Sequence, residues 1–315
     1  MAGWRRAAPG AAVMMFGAGV LAGCDGGSPG GGASPKAEKV GRPSVVAMSV
    51  QEYGSALAGA IGPLDTALRG LNGAGGYRGL AGRVRAAERA AEQGVVKLRG
   101  LAAPQEVSAE HGRLVAALQV FQRNLGGVRG QVEDRKVCTG SVARAEVGGA
   151  SGATELRRAV AALEPKVPGW DAALGLPSGR RPNDRPANGT FIRSGDRGGR
   201  GTLTIDNGGS HDAVITLARS GRAATSVYVR EGDDFTVRGV PDGRYSIYYT
   251  TGGDWDRKVR AFGGDCAFRR FDDEMAFKTE RTATQIRWST WKITLQPVVG
   301  GTASTSDVAP DGVPD

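Results

Sequence analysis

The scarce reactive groups of this 315-residue chain are three cysteines and two histidines, and their spacing sorts the chemistry open to it. A zinc centre draws several His, Cys or carboxylate ligands from close spacing, and neither His111 nor His211 has such neighbours. His111, beside Glu110, falls on the polar face of an expected helix. His211 follows Gly208-Gly209-Ser210 in an expected hairpin loop. Both read as solvated surface residues. Hydroxyl nucleophiles fare no better, because no Gly-x-Ser-x-Gly elbow or Ser-x-x-Lys pair sits at a strand-to-helix turn. The glycine-rich stretch 195–201 lacks the Lys-Ser/Thr pair that would reach a phosphate. No catalytic residue and no metal ligand is assigned, no cofactor is expected, and the chain reads as a non-enzyme.

Carboxylates and aromatic rings leave narrower openings. Asp206 with Asp212, Glu231 with Asp233 and Asp234, Asp254 with Asp256, and the run Asp272-Asp273-Glu274 fall at expected loop positions. Brought together, they could offer calcium part of the six to eight oxygens it takes. Two of them roughly 5 to 10 Å apart in a pocket could run a hydrolase. The competing role is plain: short acidic loops start turns and keep sheet ends soluble. Tyr245, Ile247 and Tyr249 share one face of an expected strand and Tyr248 takes the other. Together with Trp255, Trp288 and Trp291, exposed rings there could stack on sugars, against the alternative of core packing.

Cys24 stands in a more telling context. Met1 to Arg6 carries two arginines and no acid, Ala7 to Val20 is apolar but glycine-softened, and Leu21, Ala22 and Gly23 precede the thiol. This layout resembles the lipobox signal peptide of bacterial lipoproteins. The resemblance implies a diacylglyceryl group on the Cys24 thiol, cleavage before it, and a mature chain held at the outer face of the cytoplasmic membrane. An uncleaved anchor competes poorly. The apolar run from Ala7 to Gly23 includes Pro9 and four glycines and barely reaches the roughly 17 to 25 residues that cross a bilayer. Two acyl chains, at about 0.8 kcal/mol per buried methylene, suffice for stable attachment. Residues 1–23 are then the signal peptide and 24–43 a Gly/Ser/Pro-rich tether reaching about 25 Å. No later apolar segment is long enough to span.

The elements that must position everything else fall into two halves. From 44 to 176 the apolar residues recur at helical spacing. One stripe is Leu114, Leu118, Phe121, Leu125, Val128 and Val132, a second runs from Tyr53 to Leu71, and a third from Leu80 to Leu98. A fourth helix is expected over Thr154–Leu163, restarting near Trp170 after Pro165 and Pro168. Four such helices with short connections make an antiparallel bundle. Residues 177–190, rich in Pro and Arg, read as an interdomain linker. From 191 to 301 the period becomes two. Seven or eight short strands with turn signals between them predict an antiparallel β-sandwich, followed by a disordered tail at 302–315. The fold class is α+β in two domains.

Within the strand half, the run from Asp233 through Pro241-Asp242-Gly243 to Tyr249 resembles the strand, turn, strand signature of carboxypeptidase regulatory-like and transthyretin-like sandwiches. That resemblance implies an accessory module, and the turn chemistry by itself puts Gly243 in the left-handed conformation. Together with the lipobox and the ending Arg287-Trp288-Ser289-Thr290-Trp291, the chain is similar to envelope lipoproteins of high-GC Gram-positive bacteria that carry no assigned reaction.

Cys138 and Cys266 remain once Cys24 is lipidated. They are expected to form a disulfide that clamps the helical half to the strands, the alternative being two buried thiols. Charge is uneven as well. Residues 24–188 hold 22 Lys and Arg against 15 Asp and Glu, whereas 189–315 hold 17 of each. The basic helical half could therefore lie against anionic lipid or a cell-wall polymer. Nucleic acid is not expected as a partner outside the cell, and no protein partner is indicated. The function expected is a non-catalytic, membrane-anchored binding or interaction module. The alternatives are an extracytoplasmic solute- or glycan-binding receptor and, third, a carboxylate-dependent hydrolase.

Overall fold

The computed structural model describes residues 48–73, 75–171, 174–182, 184–296 and 303–314. Leu21, Ala22, Gly23 and Cys24, with the whole leader and tether, lie outside them. The described chain is α+β, with helices in its N-terminal half and an antiparallel-rich set of sheets in its C-terminal half.

Helix α1, Val50–Gly70, starts at a capping box: the Ser49 hydroxyl accepts from the Glu52 N–H, and the Glu52 carboxylate accepts from the Ser49 N–H at 2.9 Å. Pro63 inside α1 cannot donate to the Gly59 carbonyl, and Lys97 of helix α2, Leu80–Arg99, donates to it instead at 3.2 Å. Helix α3 covers Ser108–Glu133, and the three expected apolar stripes of α1, α2 and α3 are all buried in one core. Gly94 matters to their packing. A Cβ there would meet the Ala60 carbonyl and Leu118 Cδ2 at 3.1 Å, so the missing side chain lets α2 settle between α1 and α3.

The helix count differs from the sequence expectation. A short helix α4, Gly140–Gly149, precedes α5, Ser151–Leu163, making five. Among the described residues no helix restarts at Trp170. Its N–H instead closes a turn onto the Val167 carbonyl at 3.1 Å, and its ring is buried in the helical core.

The strands are β1 Phe191–Arg193, β2 Gly201–Asp206, β3 Asp212–Arg219, β4 Arg222–Val229, β5 Asp234–Val240, β6 Gly243–Asp256, β7 Ala261–Phe271, β8 Met275–Phe277, β9 Thr279–Arg281, β10 Ile286–Trp288, β11 Thr290–Thr294 and β12 Thr305–Asp307. One sheet runs β1-β4-β3-β6-β7-β12, with β8 on β6; a second is β11-β2-β5; β9 and β10 make a small hairpin sheet of their own. Leu203, Ile205, Val237 and Ile293 of the three-stranded sheet share a core with Ile215, Leu217, Ile247 and Tyr249 of the larger one. On the larger sheet's other side, Val214, Tyr228, Trp255, Phe262 and Cys266 gather with Cys138, and Tyr77 packs against them. Strand β3 is consequently buried from Asp212 to Ala218, so the half-exposed alternation expected of it does not occur.

Two further expectations are corrected. Strand β11 pairs with β2 in parallel, Thr290 beside Thr202 through Thr294 beside Asp206, so the β region is not wholly antiparallel. The turn at Pro241-Asp242 carries the chain from the three-stranded sheet to the larger one, because β5 pairs with β2 whereas β6 pairs with β3, β7 and β8. Gly243 there has φ +154°, in the positive range that favours glycine. The stretch 302–315 is not a featureless tail, since Thr305–Asp307 pair with Phe271, Arg270 and Arg269 of β7.

Candidate functional site

The most concentrated set of polar side chains surrounds Asp212, at the start of β3. This carboxylate is 9% exposed. The linker residue Arg185 grips both of its oxygens at 2.8 Å, the Tyr228 hydroxyl of β4 donates to Oδ2 at 2.5 Å, and the Glu231 N–H donates to Oδ1 at 2.9 Å. Burial alone would raise the Asp212 pKa. The hydrogen bonds from Arg185, Tyr228 and the Glu231 backbone outweigh it and hold the group at about 2. Burial, and then the carboxylate beside it, push the Tyr228 phenol well above its usual range. Arg185 also reaches the Glu231 carboxylate at 3.3 Å.

These groups line a cavity of about 210 Å³ with Asp184, Ser210, His211, Asp254 and Trp255 at its walls. Several acids do meet there, as a carboxylate-dependent hydrolase would require. Asp212 is nonetheless poorly placed as a general base: it is a fixed anion whose acceptor sites are occupied by four donated bonds. The Ser210 hydroxyl and His211 Nδ1 are 3.1 Å apart, but His211 is exposed, and the neighbouring Asp212 carboxylate turns to Arg185 and Tyr228. The geometry is that of an electrostatic clamp tying residues 184–185 to the sheet.

A second set joins the helical half to the sheet. Cys138 and Cys266, both buried, stand at disulfide distance with Cα atoms 6.4 Å apart. Cys138 lies beyond the end of α3 and Cys266 in the middle of β7. The backbones also pair there, with the Cys138 N–H on the Gly263 carbonyl at 2.8 Å and the Cys266 N–H on the Arg135 carbonyl at 3.0 Å. Ser141 at the start of α4 donates to the buried Asp256 carboxylate. Arg181 bridges Glu146 of α4, at 2.9 Å through Nε, and Asp254 of β6, at 2.7 Å. The stretch read as a linker is therefore held down at Arg181 and at Arg185. Between α3, the α4–α5 junction and this stretch lies a larger cavity of about 470 Å³, whose polar wall includes Arg123, Asn124, Gln131, Glu146 and Arg181.

The remaining candidates disperse. Asp206 pairs with Lys292, Asp254 with Arg181, Glu274 with Arg244, and Asp272 accepts from Ser306. Among the described residues no group of three or more His, Cys, Asp or Glu is arranged to hold a metal ion. His111 is not a solvated surface residue. Its Nδ1 lies 2.8 Å from the Tyr53 hydroxyl, the ring meets Tyr53 edge-on, and burial lowers its pKa against the opposing pull of the Leu98 carbonyl. Of the aromatics, Tyr245, Tyr249 and Trp255 are buried and Tyr248 is half-buried. Trp288 and Trp291 are exposed, at 47% and 39%. The Asp212 clamp escaped sequence reading because its cation comes from a stretch that looked like a spacer; the only hint was three arginines within it. No protein-family model, no curated protein and no solved structure matches this chain, so what it does has to be read from these residues.

Proposed function

We propose that this chain is a lipid-anchored protein of the outer face of the cytoplasmic membrane, working as a non-catalytic binding or interaction module. Cys24 carries the lipid, Leu21, Ala22 and Gly23 form the processing signal, and the tether holds the folded part off the membrane. Within that reading the five helices form an antiparallel bundle and the two larger sheets a transthyretin-like sandwich, supported by the packing of α1 on α2 and α2 on α3 and by the core shared between the sheets. The observation that carries the location is the buried Cys138–Cys266 pair. Such bonds persist in oxidising compartments, which is where a lipobox leader would deliver the chain. Growth with an alkyne fatty acid tests it. The protein should take up label, Cys24→Ser should not, and recovery of an unlabelled wild-type chain with its leader intact overturns the reading.

A second reading, a receptor for a small polar solute, draws support from the 470 Å³ cavity and its arginine and amide lining. A solute that raises the thermal midpoint of the wild type and not of Arg123→Ala would favour it. A flat response across charged and neutral solutes would dismiss it.

A further inference from the structure

Four large apolar side chains are exposed among the described residues, and three of them, Ile286, Trp288 and Trp291, fall within six positions. Val96, the fourth, stands alone on α2 and is the ordinary single exposed residue that needs no explanation. The cluster sits on a protrusion. Strands β9 and β10 pair only with each other, Arg281 opposite Ile286, Glu280 opposite Arg287 and Thr279 opposite Trp288, and every residue from Glu280 to Trp288 is exposed. Strand alternation puts Ile286, Trp288, Arg281 and Thr279 on one face. Trp291 follows three residues on, its indole N–H fixed on the Ala276 carbonyl at 3.0 Å while much of the ring stays open.

Charge completes the picture. Lys278, Arg281 and Arg287 have no ion-pair partner among the described residues; the Arg287 Nε donates only to the Gln285 side chain, at 3.0 Å. One acid, Glu280, accompanies them. Elsewhere in the β region Arg244, Arg257 and Arg269 reach carboxylates, whereas several other exposed arginines there do not; what sets the hairpin apart is that its cations stand beside exposed large apolar side chains. Here Arg281 shares the open apolar face, while Arg287 and Glu280 take the hairpin's other face. A tryptophan pair with an aliphatic neighbour and unpaired cations matches the interface of an anionic bilayer, where indoles sit at headgroup level and Lys or Arg meet lipid charge. Ile286 argues against a sugar surface, since an aliphatic side chain has no ring to stack but gains from burial among acyl chains.

We propose that the Thr279–Trp288 hairpin, with Trp291 beside it, docks on an anionic membrane surface as a second, peripheral contact. The proposal rests on the extracytoplasmic, membrane-side address given above, which places such a surface within reach. Its test uses residues 24–315 carrying Cys24→Ser, so that neither leader nor acyl chain contributes, while the compact unit Val45–Asp315 stays whole.

In flotation with vesicles of phosphatidylglycerol and phosphatidylcholine in equal parts, this chain should rise with the lipid. It should do so far less with phosphatidylcholine alone, and less in high salt. Ile286→Ser with Trp288→Ala should lower partition by about tenfold. Arg281→Ala and Arg287→Ala should lower it by about fivefold each, with thermal midpoints unchanged in both sets because all four side chains are exposed. Absence of binding to the anionic vesicles, or binding that neither variant set weakens, overturns the proposal. So does capture by purified wall glycan that survives excess anionic vesicles. Fatty-acid labelling of the wild type is read separately. Vesicle binding with no label on Cys24 sinks the anchor and leaves the hairpin, and label without vesicle binding does the reverse.

Discussion

The Asp212 cluster and the Thr279–Trp288 hairpin use the same residue types for opposite ends. Around Asp212, an arginine, a tyrosine and a backbone N–H all converge on one carboxylate that is nearly out of water. On the hairpin and beside it, arginines and tryptophans stand in water without a carboxylate in contact. A charged group whose partners come from its own chain is fixed and chemically quiet. One whose partners do not is available to another surface. The contrast therefore separates the parts that hold this molecule together from the part best fitted to meet something else, and each side can be challenged by substitution.

The largest effect belongs to the holding side. Cys138→Ala with Cys266→Ala removes a link across 128 residues, which by loop-closure entropy lowers stability by about 4 to 5 kcal/mol. Urea unfolding with and without reductant measures it. A wild type whose midpoint ignored reductant would show that the two halves are joined by packing alone.

Asp212→Ala should come next, at about 3 kcal/mol, the lower end for breaking a buried ion pair because Arg185 is 47% exposed and rehydrates. Tyr228 is then left with a buried hydroxyl and no acceptor, so Tyr228→Phe added to Asp212→Ala should cost little more. A double variant whose losses simply add would mean that the two groups do not work as a unit.

How much of this could be read from residue order depends on where the partner lies. The stripes of α1, α2 and α3 were legible because a 3.6-residue period reports burial directly, and β2 and the first half of β6 because theirs is two. Helix α4 was not. Its buried set, Val142, Ala143, Ala145 and Val147, is framed by glycines, and it packs through absence: a Cβ on Gly148 would sit 2.2 Å from the Pro177 carbonyl. Nor was His111, whose polar surroundings on its own helix hide a tyrosine 58 residues away. Asp212 looked like one more acid in an acidic loop, and only its tertiary partners make it an anion at nearly any pH. The exposure of Trp288 and Trp291 was equally closed to inspection, since a tryptophan in a strand reads alike on either face.

Acid sharpens the comparison with smaller effects. Asp212 is held at about 2 when folded, against about 3.9 in an unfolded chain, so the unfolded state binds more protons in between. The stability it contributes is present above about pH 4 and lost as pH falls towards 2, amounting to about 2 kcal/mol. Asp212→Asn should remove that slope, and an unchanged acid profile would deny the clamp its charge. His111 acts at higher pH with the same sign. Burial lowers its folded pKa, so stability should begin to decline as pH drops below about 6.5, and His111→Gln should flatten the profile there.

The smallest expected change is the most discriminating. Arg287→Ala, measured by the same urea unfolding, should alter stability by less than about 0.5 kcal/mol, because its guanidinium has no carboxylate to lose and the side chain is exposed. Arg185→Ala, whose partner is the buried Asp212, should fall well outside that range. If Arg287→Ala proved as damaging as Arg185→Ala, the hairpin would be part of the framework, and Trp288 would need an intramolecular explanation. If it proves neutral while anionic vesicles still distinguish it from the wild type, then Arg185 belongs to the framework and Arg287 to a surface, and what marks that surface is an unpaired cation beside exposed indole and aliphatic side chains.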